Sequence, residues 1–414
     1  MILMVVNSEL AYRRGVFLSD QGDREGALRA WRQTVASGHA DLGPRAAVGV
    51  GVLLAMGGDG DGAAQAWASA LDSGHHEAAP LAAVNLGVLR AGCGDVIGAQ
   101  ALWQRAIDSG HAQHAPRAAV NLGVLLAAQG DAGAAERAYR QAIGSGDADA
   151  ASLALVNLGV LLLQTGNADG ALTLYRAAIV SGNQEAVPLA RLNLGRLWQR
   201  QGDLSRAHDE FLLAAGSGHH EHAPVAWVEV GALLAAADDA KGAVAAYRSA
   251  IETGHADAGP RAHVGLALLW LTQGETNAVV DAFGMAIRSG HAEMAPLAAL
   301  NLGVVLVDGG DAEGALRLWR SVVRSAHPEH GPVAALNLGA LLVRRGDHDG
   351  ARAAWEEAVG SGHDDAGPRA AVCLGRLRAH RGDVDGARSA YLRAIASAHV
   401  DAAPIATAEL ERLG

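Results

Sequence analysis

Residues 116–151 read PRAAVNLGVLLAAQGDAGAAERAYRQAIGSGDADAA. The first half places small or apolar side chains at Ala119, Leu122, Gly123 and Leu126, the three-four spacing of one helical face. Gly130-Asp131 then breaks the pattern. Gly supplies a left-handed end for the first helix, and Asp an acceptor for the orphan amides of the next. The second half repeats the spacing at Ala135, Tyr139, Ala142 and Ile143, and stops at Ser145-Gly146. The stretch therefore encodes two short antiparallel helices, A and B.

The same unit recurs every 36 residues. Ten of the eleven prolines keep that interval, from Pro44, Pro80 and Pro116 to Pro404, with Ser152 in the one gap. An aromatic keeps it at another phase: Trp31, Trp67, Trp103, Tyr139, Tyr175, Phe211, Tyr247, Phe283, Trp319, Trp355 and Tyr391. A helix pair this small cannot bury its apolar stripe alone, so neighbours must stack. Glycine repeats in mid-helix at Gly15, Gly51, Gly87, Gly123, Gly159, Gly195, Gly231, Gly303, Gly339 and Gly375. Each costs about 1 kcal/mol of helix propensity relative to Ala, a cost that makes sense where a side chain would collide with the partner helix. The expected fold is all-α: residues 1–7 an N-terminal extension, 8–403 eleven repeats of two helices, and 404–414 a capping half-repeat.

Composition narrows the function. The 53 glycines fall mostly at fixed phases of the repeat, so they do not signal disorder. The net charge of −11 is dispersed and no Lys/Arg-rich run exists, which leaves nucleic acid without an electrostatic footprint. Cys93 and Cys373 belong to distant repeats, so a disulfide framework is not expected. Met1–Val6 is apolar but too short for a secretory segment, and nothing is long enough to span a membrane. These features point to a cytoplasmic protein without membrane contact.

Asn121-Leu122-Gly123, Gly130-Asp131, Ala135, Tyr139 and Ala142 resemble the tetratricopeptide repeat, with its Asn-Leu-Gly in helix A, Gly-Asp at the turn, and Ala, an aromatic and Ala in helix B. The resemblance spans nearly the whole chain and implies a right-handed superhelical solenoid that binds partners on the surface of successive A helices. Two departures stand out. The unit is 36 residues rather than 34, with inter-repeat loops such as Ser37-Gly38-His39-Ala40-Asp41 that look like the Sel-type variant. The family's helix-A Trp is mostly Ala here and survives as Trp227.

Carried onto this chain, the binding surface comprises Val120, Val124 and a ladder of carboxamides at Asn85, Asn121, Asn157, Asn193, Asn301 and Asn337. A carboxamide offers donors and an acceptor, so the ladder can grip a peptide backbone; alternatively, each Asn bonds its neighbouring repeat and holds the stack. Arg191, Arg196 and Arg200 around Asn193, and Arg369 and Arg376 near the C-terminus, are candidate anion contacts, or else a solvated helix face. The ladder breaks at Gly49, Glu229, Gly265 and Cys373. Irregularity marks candidate functional sites, so Trp227, Glu229, His263 and Trp270 form a candidate specificity patch, with compensated drift as the alternative.

Nine of the 18 histidines share one loop phase: His39, His75, His111, His219, His255, His291, His327, His363 and His399. The phase also accepts Asp147 and Asn183, and an Asp or Glu normally follows two residues later. That pattern reads as a polar turn with a carboxylate helix cap rather than a metal site. No phosphate loop, His-Glu-x-x-His or Gly-x-Ser-x-Gly occurs, so neither catalysis nor a cofactor is implied. The leading expectation is a non-catalytic scaffold holding a protein or peptide. The alternatives are sequestration of a small molecule in the apolar groove, and self-assembly. Glu409 and Glu411 make the last half-repeat polar. Met1–Val6 either covers the first repeat or pairs two chains, leaving a monomer or a homodimer joined through the N-terminal segment.

Overall fold

The computed structural model describes the backbone of residues 2–413 and the side chains of residues 7–413; the covering or pairing role of Met1–Val6 falls outside the described side chains. Among the described residues the chain forms 23 α-helices and no strand. A helices such as His114–Ala128 and Met294–Asp308 alternate with B helices such as Ala132–Ile143 and Ala312–Arg324. The chain divides into two compact units, Met1–Ala214 and Ala215–Gly414. Within each unit consecutive helices pack together, and each A helix also meets the next repeat's A helix. B helices make no comparable contact among the described residues, so the A row is the crowded side.

The mid-helix glycines explain that closeness. A Cβ on Gly123 would sit 2.5 Å from Tyr139 Cε1, and one on Gly159 2.5 Å from Tyr175 Cε1. The aromatic of helix B thus lies flat on the glycine of helix A in its own repeat. Where the ring is indole, its N–H reaches the A-helix backbone: Trp103 Nε1 donates to Val84 O at 3.2 Å and Trp319 Nε1 to Leu300 O at 3.0 Å. In the eighth repeat Ala267 stands in the glycine position and the ring is Phe283, both fully buried.

The two turns of each repeat are built differently. Between A and B, a left-handed glycine such as Gly130, φ 82°, precedes an Asp whose carboxylate accepts from the amide three residues on, at 2.9 Å from Asp95 to Gly98 and from Asp131 to Ala134. Between B and the next A, the cap is histidine. His255 Nδ1 accepts from the amides of Asp257 and Ala258 at 3.2 and 3.1 Å, while its Nε2 lies 3.1 Å from Glu221 Oε2, one repeat back. His75–Asp41, His291–Asp257, His327–Glu293 and His399–Asp365 repeat this link at 2.9, 2.9, 3.1 and 3.0 Å.

The expectation of a carboxylate cap at this loop is therefore corrected. Asp41, Glu221 and Asp257 make no side-chain cap bond to their own helices; they accept from the following repeat's histidine. Asn183 performs both tasks, its Oδ1 accepting from Glu185 and Ala186 amides at 3.0 and 2.8 Å and its Nδ2 donating to Asp149 at 2.7 Å. The carboxamide presents one acceptor and one donor in fixed places. Its match assigns the histidines to the tautomer with Nδ1 bare and the proton on Nε2. In the fourth repeat Asp147 stands at the histidine phase and accepts from the Ala150 amide at 2.8 Å.

Candidate functional site

The A-helix row presents its residues in order around each helix. Val16, Val52, Val88 and Val124 stand at the same position of four consecutive repeats, and Val88 and Val124 are 54% and 49% exposed. Val304 and Leu268 occupy that position in the second unit and are also open. Three residues earlier stand Asn85, Asn121, Asn157, Asn193, Asn301 and Asn337, all half-buried. Val120, expected on the same surface, is buried instead, at 7% exposure. One step before Asn121, it is turned by about 100° into the layer interface.

The carboxamides are largely unspent. Asn301 Nδ2 donates to Leu297 O of its own helix at 2.9 Å, and among the described residues no ladder Asn bonds a neighbouring repeat. Two breaks in the ladder have a packing cause. A Cβ on Gly49 would lie 2.8 Å from the Trp31 ring, and one on Gly265 2.5 Å from Tyr247 Cζ, so the preceding repeat's aromatic covers the position. Asn337 opens onto a cleft of about 190 Å³ with Val304, Val307, Ala340, Leu341 and Arg344.

The candidate anion contacts are already matched to carboxylates. Arg191 pairs with Glu210 at 2.8 Å, Arg376 with Glu409 at 2.8 Å, and Arg369 with Asp365 at 3.4 Å. Arg196 is also engaged. Arg200 ends the helix Ala186–Arg200, close enough for its charge to act on the Tyr175 phenol. Arg191 and Arg376 are thus held in ion pairs by acids on neighbouring helices, and Arg369 by the acid at the start of its own helix Ala366–His380.

In the irregular seventh and eighth repeats, Trp227 and Trp270 are half-buried against one apolar cluster built on Tyr247 and Phe283. Burial, and then the negative charge of Glu229, push the Tyr247 hydroxyl up. Burial, with Arg288 nearby, pushes His263 down, which keeps it neutral. Glu229 has its own partner.

Glu293, His327 and His330 bring three ligand atoms within 4.8 Å of one another. The chemistry does not suit an ion. His327 Nδ1 accepts from the amides of Glu329 and His330 at 3.3 and 3.2 Å, so its proton is on Nε2, the atom that faces Glu293. A metal on Nε2 would force that proton onto Nδ1, against two N–H donors. The His327 and His330 rings are also stacked, 4.5 Å apart and 12° from parallel. Their in-plane lone pairs therefore cannot converge on one ion. Of the two thiols, Cys93 is exposed, and burial pushes that of Cys373 up, away from the reactive thiolate.

With the helix pairs, their glycine-aromatic contacts and the open A-helix row in place, sequence comparison decides the family. The tetratricopeptide repeat matches residues 12–83, 85–152, 128–186, 157–220, 300–368 and 336–404. The chain belongs to the tetratricopeptide repeat family. This is a family of repeat scaffolds, and no enzyme family is indicated. The matched segments stop at residue 220 and resume at 300, around the same irregular seventh and eighth repeats. No curated protein matches the sequence. Among solved structures, yeast Tom70 is similar at 12% identity over 98% of this chain and 95% of that one, with a TM-score of 0.45. The c5321 antigen of uropathogenic Escherichia coli, described as displaying an SLR fold, is similar at 19% identity over 98% and 87%, with a TM-score of 0.47. Among the described residues no helix of this tetratricopeptide repeat chain is long and apolar enough to cross a membrane.

Sequence reasoning missed one feature of the A-helix row, a cleft of about 340 Å³ lined by Tyr12, Arg45, Glu77, Leu81, His111 and His114 among others. The available signal was Tyr12, which stands where later repeats carry Val48 and Val84.

Proposed function

We propose that this chain is a non-catalytic adaptor that holds a protein or peptide along its row of A helices. The observation that carries the reading is the line Val16, Val52, Val88 and Val124, apolar and solvent-open in four successive repeats of the first unit. The half-buried asparagines beside it keep hydrogen-bonding capacity that the fold does not use. Successive helices pack at roughly 8–10 Å. A partner helix returns its face after seven residues, about 10.5 Å, while a strand returns its face every 6.6–6.8 Å or so. The valine spacing thus favours an amphipathic helix over an extended strand. The compartment we assign is the cytoplasm, where thiols such as Cys93 and Cys373 stay reduced.

Photo-crosslinking in the native host tests this. A photoreactive residue at Val88 or Val124 is expected to capture one partner in common, and the same residue at Arg137, exposed on a B helix, to capture none of it. Val88→Asp with Val124→Asp should abolish capture while the melting midpoint holds. Equal capture from Arg137 would overturn the reading.

A further inference from the structure

Three equivalent clefts open between consecutive B–A loops. Each is bounded by the end of one B helix, the loop and first turn of the A helix after it, and the end of the next B helix. They hold about 300 Å³ beside His75, about 440 Å³ beside His363 and about 420 Å³ beside His327. In the first two, an arginine of the fold itself lines the cleft from the last turn of the second B helix. Arg105 Nη2 donates to Leu71 O at 3.2 Å and Arg393 Nη2 to Val359 O at 3.3 Å, each a cation on the negative end of the helix before it. The cleft beside His327 departs from that pattern at three positions. Glu357 stands where the others have arginine, Ala326 where they have Gly74 and Gly362, and Pro328 where they have His76 and Asp364.

The three changes act together. Glu357 belongs to the last turn of the helix His348–Gly360 and lines the cleft with Val323, near the end of Ala312–Arg324. It puts negative charge at two helix ends that both favour a cation. The fold does not offset this: Glu356 beside it is held by Arg378 at 2.8 Å, but the exposed Glu357 carboxylate has no ion pair or hydrogen bond among the described residues. Val323, Ala326, Pro328 and Pro332 give the cleft an apolar wall. An acid beside an apolar wall suits a cation on an alkyl stem, and the two equivalent clefts show that the space accommodates a guanidinium. Glutamate is shorter than arginine, so a guanidinium bonded to Glu357 would stand near the place that Arg105 and Arg393 give to their own. We propose that this cleft receives an arginine side chain from a protein partner. Its guanidinium donates to the Glu357 carboxylate and to Val323 O, and its methylenes lie against Pro328 and Pro332. No Lys or Arg lines the cleft to meet an α-carboxylate, so the arginine is one within a peptide chain. The inference does not rest on the partner-binding reading above, since it concerns the B–A loops rather than the valine row.

Chemical-shift titration of the full chain at neutral pH, followed at the amides of Gly331, Gly360 and Ser361, provides the test. The probes are acetyl-Ala-Arg-Ala-amide, the same peptide with citrulline as the uncharged isostere of arginine, and free L-arginine. The arginine peptide is expected to shift these amides saturably, and the citrulline peptide to bind roughly fivefold or more weakly, the scale of one exposed ion pair. Glu357→Gln should weaken the arginine peptide by a similar factor. Glu357→Arg gives the cleft an arginine of its own, so it should raise the melting midpoint and abolish binding. Circular dichroism checks that both fold; if Glu357→Arg does not, Glu357→Gln carries the comparison alone. The proposal is overturned if the arginine peptide shifts none of these amides at about 10 mM, a concentration that detects even millimolar affinity. It is equally overturned if the citrulline peptide binds as tightly, if free L-arginine binds more tightly than the peptide, or if a folded variant keeps the original affinity.

Discussion

Asp311 and His327 stand at opposite ends of the helix Ala312–Arg324 and answer the same need, an acceptor for orphan amides at a helix start. Asp311 accepts from Gly314 at 2.8 Å, three residues away, and caps its own B helix. His327 accepts from two amides of the next A helix and also reaches Glu293 at 3.1 Å, 34 residues back. The first cap is local. The second joins one loop to the next, so this array is tied together along its loops as well as through its core. The comparison predicts different consequences when each cap is removed.

The largest effect is expected for His327→Ala. It deletes the acceptor for two amides, worth about 1–2 kcal/mol as a helix cap, and strands Glu293. That carboxylate is 61% exposed, so the link itself adds a few tenths of a kcal/mol at most. Chemical denaturation of the single and double variants with Glu293→Ala measures the coupling. A coupling of zero would show that the loops cap their helices but do not connect. Asp311→Ala ranks next, at about 1 kcal/mol. It should be additive with Glu293→Ala, because Asp311 touches nothing in the neighbouring loop.

How much of this was legible in the sequence depended on how far apart the interacting residues lie in the chain. The glycine-aromatic contact was readable because Gly123 and Tyr139 recur at a fixed spacing in one repeat, and a repeated cost demands a repeated cause. The A–B cap was readable for the same reason. Val120 was misplaced because neighbouring helix positions differ by about 100°, and its small apolar side chain suits either face. The ion pairs of Arg191 and Arg376 were not legible because Glu210 is 19 residues from Arg191 and Glu409 is 33 from Arg376. Across such distances only three-dimensional placement reveals a pair. The loop cap was assigned to the wrong residue: Asp and Glu are the commoner cap formers, and nothing in the string shows that histidine turns its bare nitrogen inward.

Acid probes a histidine beside the loop cap rather than the cap itself, for the His114 ring stacks on the capping His111 at 4.3 Å. His114, at the start of the helix His114–Ala128, is pushed from 6.5 to about 4, first by burial and then by His111 and Arg117. The folded form therefore resists protonation, while the unfolded chain takes up the proton near 6.5. The stability His114 contributes is complete above pH 6.5 and is lost as the pH falls towards 4. His114→Leu should flatten the fall in melting midpoint over that window. An unchanged slope would mean that the ring is already solvated in the native state.

The smallest effect is the most discriminating. Asn183 shows what a loop needs at this phase: an acceptor for two amides and a donor to the preceding carboxylate. His327→Asn supplies both, so it should cost less than about 0.5 kcal/mol, the range of a neutral surface change, against about 1–2 kcal/mol for His327→Ala. The substitution also separates the two roles a histidine can play here. A carboxamide reproduces the hydrogen bonds but is a poor ligand for a transition metal. If His327→Asn folds and melts like the parent in buffers with and without chelator, the ladder of loop histidines works through hydrogen bonds alone. A loss as large as that of alanine would mean that the imidazole contributes something other than its two bonds, and the stacked His330 ring would be the first place to look.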